Sequence, residues 1–198
     1  MLKIIFYLIL LILVGCGGKN KEPQLASSYQ DNAILIRAQA SKDLNQYDHR
    51  KHTLKLGIIQ IEKVEDIQNQ IITSEGISEL LDGDTEADGS SPKNSKVHLQ
   101  TFFVAPGTTQ TFTMARMAGA KTIVVIAGYY NLTPAGVVRI YEIPVFKNWK
   151  PITFWEETRR MGRIAIFLDL GAQAINYTET TSKVTKPLPK TKNLVTYK

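Results

Sequence analysis

From residue 33 onward the chain is a series of short apolar segments, most alternating with period two and separated by turn residues. That pattern constrains it to an all-β fold. Residues 33–40 (AILIRAQA) and 54–62 (LKLGIIQIE) read as strands on either side of a polar stretch, 41–53. Residues 97–105 (VHLQTFFVA) stop at Pro106-Gly107, a strong turn pair, and 108–114 (TTQTFTM) alternate beyond it, which predicts a hairpin. The unbroken Ile/Val content of 122–130 (TIVVIAGYY) predicts a central strand covered on both faces. After a polar turn at 131–136 comes 137–143 (VVRIYEI), closed by Pro144, while 163–170 (RIAIFLDL) and 172–177 supply the last one or two strands. Seven or eight strands sharing one core predict a two-sheet β-sandwich of the transthyretin or immunoglobulin kind, with two or three short helices.

The helices are expected in two places. Over 64–72, Val64, Ile67, Ile71 and Ile72 recur at helical spacing, with Glu65 and Asp66 in the first turn where they suit the helix dipole; 77–81 continue weakly after Gly76. These pieces are expected to cap one end of the sandwich. Residues 151–160 read as a third short helix, with Pro151 near its start and Arg159 and Arg160 in its last turn. Trp149 and Trp155, which flank Pro151, are expected to pack that helix against the sheets. The Gly, Ser, Asp and Glu of 82–94 predict a mobile loop.

The N-terminus gives an address. Lys3 precedes an apolar run of eleven residues, 4–14, and then Leu13-Val14-Gly15-Cys16. A helix needs roughly 20 apolar residues to cross a hydrocarbon core about 30 Å thick, so the run reads as the core of a signal peptide. A small residue just before a cysteine, with leucine three positions ahead of it, resembles the bacterial lipobox, which implies acylation of Cys16 and cleavage before it. Several acyl chains hold a protein on a membrane stably where one alone does not. Gly17 occupies the position where aspartate would signal inner-membrane retention, which points to the periplasmic face of the outer membrane. Cys16 is the only cysteine, so no intramolecular disulfide can form. The expected organisation is a signal peptide (1–15), an acylated flexible tether (16–32), the β-sandwich domain (33–178) and a basic disordered tail (179–198).

Cleavage before Cys16 removes 15 of 198 residues and leaves 183, enough for one single-core domain. The formal charge of +6 falls to +5 without Lys3, and residues 179–198 hold five lysines against one glutamate, leaving about +1 for the rest. A nucleic-acid surface requires Lys and Arg gathered on a folded face, so no nucleic-acid partner is expected despite a pI near 9.3.

Candidate chemistry is sparse. The acidic loop from Asp82 to Gly89 departs from a calcium loop at Ala87, where a glycine should turn the chain, and at Lys93, where a glutamate should bind bidentately. His49 and His52 have a spacing open to zinc, but Arg50 and Lys51 oppose a cation and His98 is distant in the chain. No Gly-x-Ser-x-Gly elbow and no phosphate-binding loop occur. The expectation is therefore no catalytic residue, no metal, and no cofactor besides the covalent lipid on Cys16.

The order of segments resembles TssJ, the outer-membrane lipoprotein family of the type VI secretion system. The first strand runs into Ala40-Ser41-Lys42-Asp43-Leu44-Asn45, like the family segment ending in Asp-Leu-Asn. The second strand, the short helices, Phe103-Val104-Ala105-Pro106-Gly107, the Thr-rich strand, Ala118-Gly119-Ala120-Lys121 and Val124-Val125-Ile126-Ala127-Gly128-Tyr129-Tyr130-Asn131-Leu132 follow in the family's order. Gln46 replaces the family's usual proline, Gly57-Ile58-Ile59 stand for its Arg-Val-Tyr, and 145–198 form an extension without a counterpart. The resemblance implies a structural subunit that binds the periplasmic C-terminal domain of TssM within a TssJ, TssL and TssM trans-envelope complex. It places the contact in the loop between the first two strands, here Leu44, Asn45, Gln46, Tyr47 and Asp48, with Tyr47 as an anchor. The alternative is an outer-membrane lipoprotein that binds a glycan or small ligand through its β-sandwich, with Trp149 and Trp155 as an aromatic platform.

Overall fold

The computed structural model describes residues 25–26, 28–83, 97–149, 157–181 and 185–186. Its strands in chain order are β1 (Leu25–Ala26), β2 (Gln30–Ala40), β3 (Leu54–Ile61), β4 (Val97–Val104), β5 (Thr109–Arg116) and β6 (Thr122–Gly128). There follow β7 (Val138–Glu142), β8 (Val145–Trp149), β9 (Glu157–Met161), β10 (Ile164–Leu170), β11 (Ile175–Thr180) and β12 (Thr185–Lys186). A four-stranded sheet, β11-β10-β2-β5, faces a five-stranded sheet, β12-β7-β6-β3-β4, and a small third sheet, β1-β9-β8, adjoins them. The fold is a two-sheet β-sandwich, with eight strands of five or more residues in its two main sheets. Within the four-stranded sheet β2 and β10 run parallel.

Side-chain alternation explains the layering. On β2, Ile34, Ile36, Ala38 and Ala40 are buried while Leu35, Arg37 and Gln39 face solvent, and β10 buries Ile164, Ile166, Leu168 and Leu170. On β3 and β6 nearly every position is buried, so both faces of the five-stranded sheet are covered at its centre, as the apolar run predicts. Leu54, Leu56, Ile58 and Gln60 point toward the other sheet; Gly57, Ile59 and Ile61 point outward.

The helix Ser74–Asp82 covers that outward face. A Cβ on Gly57 would lie 2.9 Å from Leu81 Cδ2, so the bare backbone leaves room for that side chain of the helix. The expectation that the helical pieces cap one end of the sandwich is therefore corrected. An apolar outer face has to be buried, and the helix lies across it. Thr73, not Gly76, marks the start of this helix: its hydroxyl accepts a hydrogen bond from the Gly76 amide at 3.1 Å.

Two further expectations are revised. β4 pairs with β3 and β5 with β2, so Pro106-Gly107 carries the chain from one sheet to the other and closes no hairpin. Phe102 and Phe112 instead meet across the interior, ring centroids 4.3 Å apart. The turn is held by Gly107 N donating to Ser41 O at 2.9 Å and Ala40 N to Thr108 O at 2.8 Å. A turn signal reports a local reversal, and which sheet receives the next strand depends on distant partners. Residues 157–160, expected to end a helix, belong to β9, whose ladders with β8 and β1 satisfy the backbone instead. Residues 151–156 of that expected helix, with Trp155, lie outside the described residues, as do Cys16 with the signal peptide and most of the 82–94 loop.

The boundaries of the ends also shift. β1 and the start of β2 fall within the expected tether, and within the expected tail Glu179 and Thr180 complete β11 while Thr185–Lys186 pairs with Ile140 and Tyr141.

Polar groups tie the two sheets together. Arg139 Nη2 donates to Ile175 O at 2.8 Å, and the hydroxyls of Tyr141 on β7 and Thr178 on β11 share a hydrogen bond. Burial pushes the Tyr141 pKa up to about 12. Because the folded value lies above the unfolded value of 10.0, this contribution to stability is complete below pH 10 and is lost as the pH rises through 12. Tyr141→Phe is expected to remove on the order of 2 kcal/mol of the alkaline decline in unfolding free energy. Urea midpoints of both proteins between pH 9 and pH 12 check this; parallel declines would exclude Tyr141 as the cause.

Candidate functional site

The resemblance directs attention to the β2–β3 loop, and the structure shows how it is held. Ser41 N donates to Leu170 O at 2.8 Å, and the Ser41 hydroxyl accepts from Asp43 N at 3.2 Å, so the loop leaves β2 in a tight turn. Leu44 is then fully buried in the core. It holds the loop down and presents no surface to a partner. Asn45 adopts φ +49°, a conformation asparagine tolerates better than most residues. Its Oδ1 accepts from Tyr130 N at 2.8 Å and its Nδ2 donates to Thr53 O at 3.3 Å. Gln46 N donates to Ala172 O at 2.9 Å.

At the loop tip Tyr47 and Arg50 exchange backbone hydrogen bonds of 2.8 and 2.9 Å. Between them Asp48 and His49 both have positive φ, +49° and +58°, as a two-residue type I′ turn requires. This miniature hairpin lays the Tyr47 ring on that of Tyr130, centroids 3.6 Å apart and planes inclined by 21°. Both rings stay solvent-accessible, Tyr47 at 45% and Tyr130 at 66%. The neighbouring Tyr47 phenol raises the Tyr130 pKa above the ordinary tyrosine value.

Three loops therefore meet at one end of the sandwich. Tyr129, next to the exposed Tyr130, points inward, is 3% exposed, and donates its hydroxyl to Ala174 O at 2.8 Å, binding the β10–β11 turn to the strand that carries the tyrosines. Burial, and then the Asp169 charge, raises its pKa. A shallow cleft of about 380 Å³ runs between Gln46, Asp48, Asn131 and Gln173 beside the stacked rings. Chemically the site offers apolar ring faces, amide groups and mixed charge on a rigid frame, which suits recognition of another protein surface.

Of the five residues expected to bind a partner, Asn45, Gln46, Tyr47 and Asp48 line this cleft and Leu44 lies beneath it. The residues that sequence reading missed are Tyr130 and its neighbour Tyr129. Their signal was present: two tyrosines ending an otherwise apolar strand must point to opposite sides, one inward and one outward. His49 and His52 are exposed in the same loop, and among the described residues no group of three or more His, Cys, Asp or Glu is gathered as a metal site would need. Trp149 lies on β8.

No protein-family model matches the chain, and no curated protein matches it. Among solved structures it is similar to the crystal structure of the T6SS lipoprotein TssJ1 from Pseudomonas aeruginosa, at 16% identity and TM-score 0.47, over 82% of this chain and 99% of that one. Serratia marcescens Lip, a membrane-bound component of the type VI secretion system, shows 17% identity and TM-score 0.47 over 79% and 99% of the two chains. The C-terminal domain of the T6SS protein TssM from EAEC shows 9% identity and TM-score 0.49 over 72% and 94%. The β-sandwich itself rests on the strand pairings and the shared core described above, independently of these likenesses.

Proposed function

We propose that the chain is an acylated lipoprotein, held through Cys16 at the periplasmic face of the outer membrane, and a structural subunit of the type VI secretion membrane complex. Its partner in this reading is the periplasmic C-terminal domain of TssM. The lipobox-like start and the ordered run of TssJ-like segments support it.

The observation that carries the reading is the position of the Tyr47–Tyr130 pair relative to the N-terminus. The chain enters the domain at β1, which pairs with β9, and β2 then runs 11 residues before it reaches the loop. At about 3.3 Å per residue the tyrosines stand some 35 Å from the tether. A domain anchored at its N-terminus thus turns its rigid aromatic end away from the lipid, toward a partner that spans the periplasm.

The test is co-purification of the full-length protein with the TssM periplasmic domain from envelopes, with Cys16→Ser as the anchoring control. Tyr47→Ala with Tyr130→Ala is expected to weaken binding roughly tenfold while leaving the melting temperature within a degree or two of the parent. Undiminished binding of that double variant removes this end of the sandwich from the contact.

A further inference from the structure

The opposite end of the sandwich carries a second cleft, unrelated to the tyrosine site. It has a volume of about 520 Å³ and lies between the start of β2, the end of β5 and the β8–β9 hairpin. Three arginines line it, Arg116, Arg160 and Arg163, and among the described residues no carboxylate does. Arg160 and Arg163 are exposed and pair with no carboxylate among the described residues. Asp31, next to the lining residue Gln30, accepts a hydrogen bond from the Tyr29 hydroxyl at 2.7 Å.

Arg116 is the unusual member. It is 2% exposed, and its Nη1 and Nη2 donate to the carbonyls of Gly162 and Ser28 at 3.0 and 2.9 Å. Its Nε is the only buried side-chain polar atom among the described residues without a hydrogen-bond partner. Burial lowers its pKa, the mark of a cation deprived of water and given no counter-ion. A buried cation with only neutral acceptors is stabilised by an anion nearby. Beside it the Phe146 ring packs over the bare backbone of Gly162, where a Cβ would lie 2.3 Å from its Cε2, and remains half exposed.

Guanidinium groups present planar, paired donors that match phosphate oxygens, and three of them without an acid among them form an anion site. We propose that this cleft binds a phosphate group, with Arg160 and Arg163 as the accessible donors and Arg116 as the buried charge behind them. Two sources of that group fit: soluble phosphate and the headgroup of an anionic phospholipid. The headgroup source rests on the anchoring reading above, because Leu25 lies 9 positions after Cys16 and β1 pairs with Arg159 and Arg160 of β9 at this end. A tether of that length spans at most about 30 Å, so the arginine end can reach the membrane surface.

The test uses the full-length protein in a neutral detergent and reads its melting temperature. One arm compares inorganic phosphate with chloride at equal ionic strength; the other compares micelles doped with phosphatidylglycerol or with phosphatidylcholine. A rise of about 2 to 4 °C is expected in at least one arm, through preferential binding to the folded state. The double variant Arg160→Gln, Arg163→Gln, at two exposed positions, is expected to melt like the parent in chloride and to lose the rise. A rise with inorganic phosphate identifies a soluble ligand, and a rise confined to phosphatidylglycerol identifies the headgroup. No rise in either arm, or a rise that survives in the double variant, overturns the proposal. TssM binding by the same preparations reports on the tyrosine end, so failure of one reading is distinguishable from failure of the other.

Discussion

Replacing Leu44 with alanine is expected to lower the free energy of unfolding by about 2 to 5 kcal/mol, the range for deleting a leucine side chain from a packed core. Leu44 is fully buried although it sits in the loop that carries the candidate contact. Its amide donates to Ser41 O at 3.1 Å and its carbonyl accepts from His52 N at 3.2 Å, so the side chain anchors both arms of the loop. Losing it empties a core position and frees the segment that places Tyr47 on Tyr130. Urea denaturation gives the size of the loss, and partner binding measured well below the transition should fall as well. Unchanged stability would show that the loop is held by its hydrogen bonds alone. Such a result would also mean that Leu44 does not support the site from beneath.

The second large effect is expected from Gln60→Leu, which keeps a similar volume and removes both polar atoms. Gln60 is 2% exposed on β3, inside the sandwich. Its Nε2 donates to Ala115 O and its Oε1 accepts from Met117 N, both at 2.9 Å, so one amide joins the five-stranded sheet to the end of β5. Leucine leaves that carbonyl and that amide unpaired, at about 1 to 3 kcal/mol each. The expected total is about 2 to 5 kcal/mol, and it exceeds what the shape change alone would cost. A loss below about 1 kcal/mol in urea denaturation would show that water replaces both bonds and that Gln60 does not couple the sheets.

Gln60 also shows why part of the fold was legible and part was not. Its place on a strand follows from the LKLGIIQIE pattern, and the alternation puts it on one face with Leu56 and Ile58. A glutamine on the buried face reads from sequence as a flaw in the pattern. Only the arrival of Ala115 and Met117, more than fifty residues along the chain, supplies its partners. The Pro106-Gly107 turn fails as a hairpin signal for the same reason: local residues specify a reversal, and the receiving strand is chosen by packing elsewhere. The end of the helix expected over 151–160 gave way because Arg159 and Arg160 lie on a strand paired on both sides. Periodicity over so short a segment does not separate a helical turn from a short strand.

Within the candidate site, Tyr47 was legible as a loop aromatic and Asn45 as a neighbour in the same loop. Their partner Tyr130 was legible only as the end of a strand.

Local residue patterns were enough for the all-β class, the alternation that separates core from surface, the central strand at 122–128, and a cysteine in an acylation-like context at Cys16. These depend on residues within a few positions of one another, where periodicity, length and turn chemistry act directly. The tertiary structure alone decided which sheet each strand joins, that the helix covers a sheet face, that Leu44 is core, and that two tyrosines eighty-three residues apart stack at one end while three arginines gather at the other. Those outcomes depend on burial shared between distant segments, a free energy that no local pattern contains.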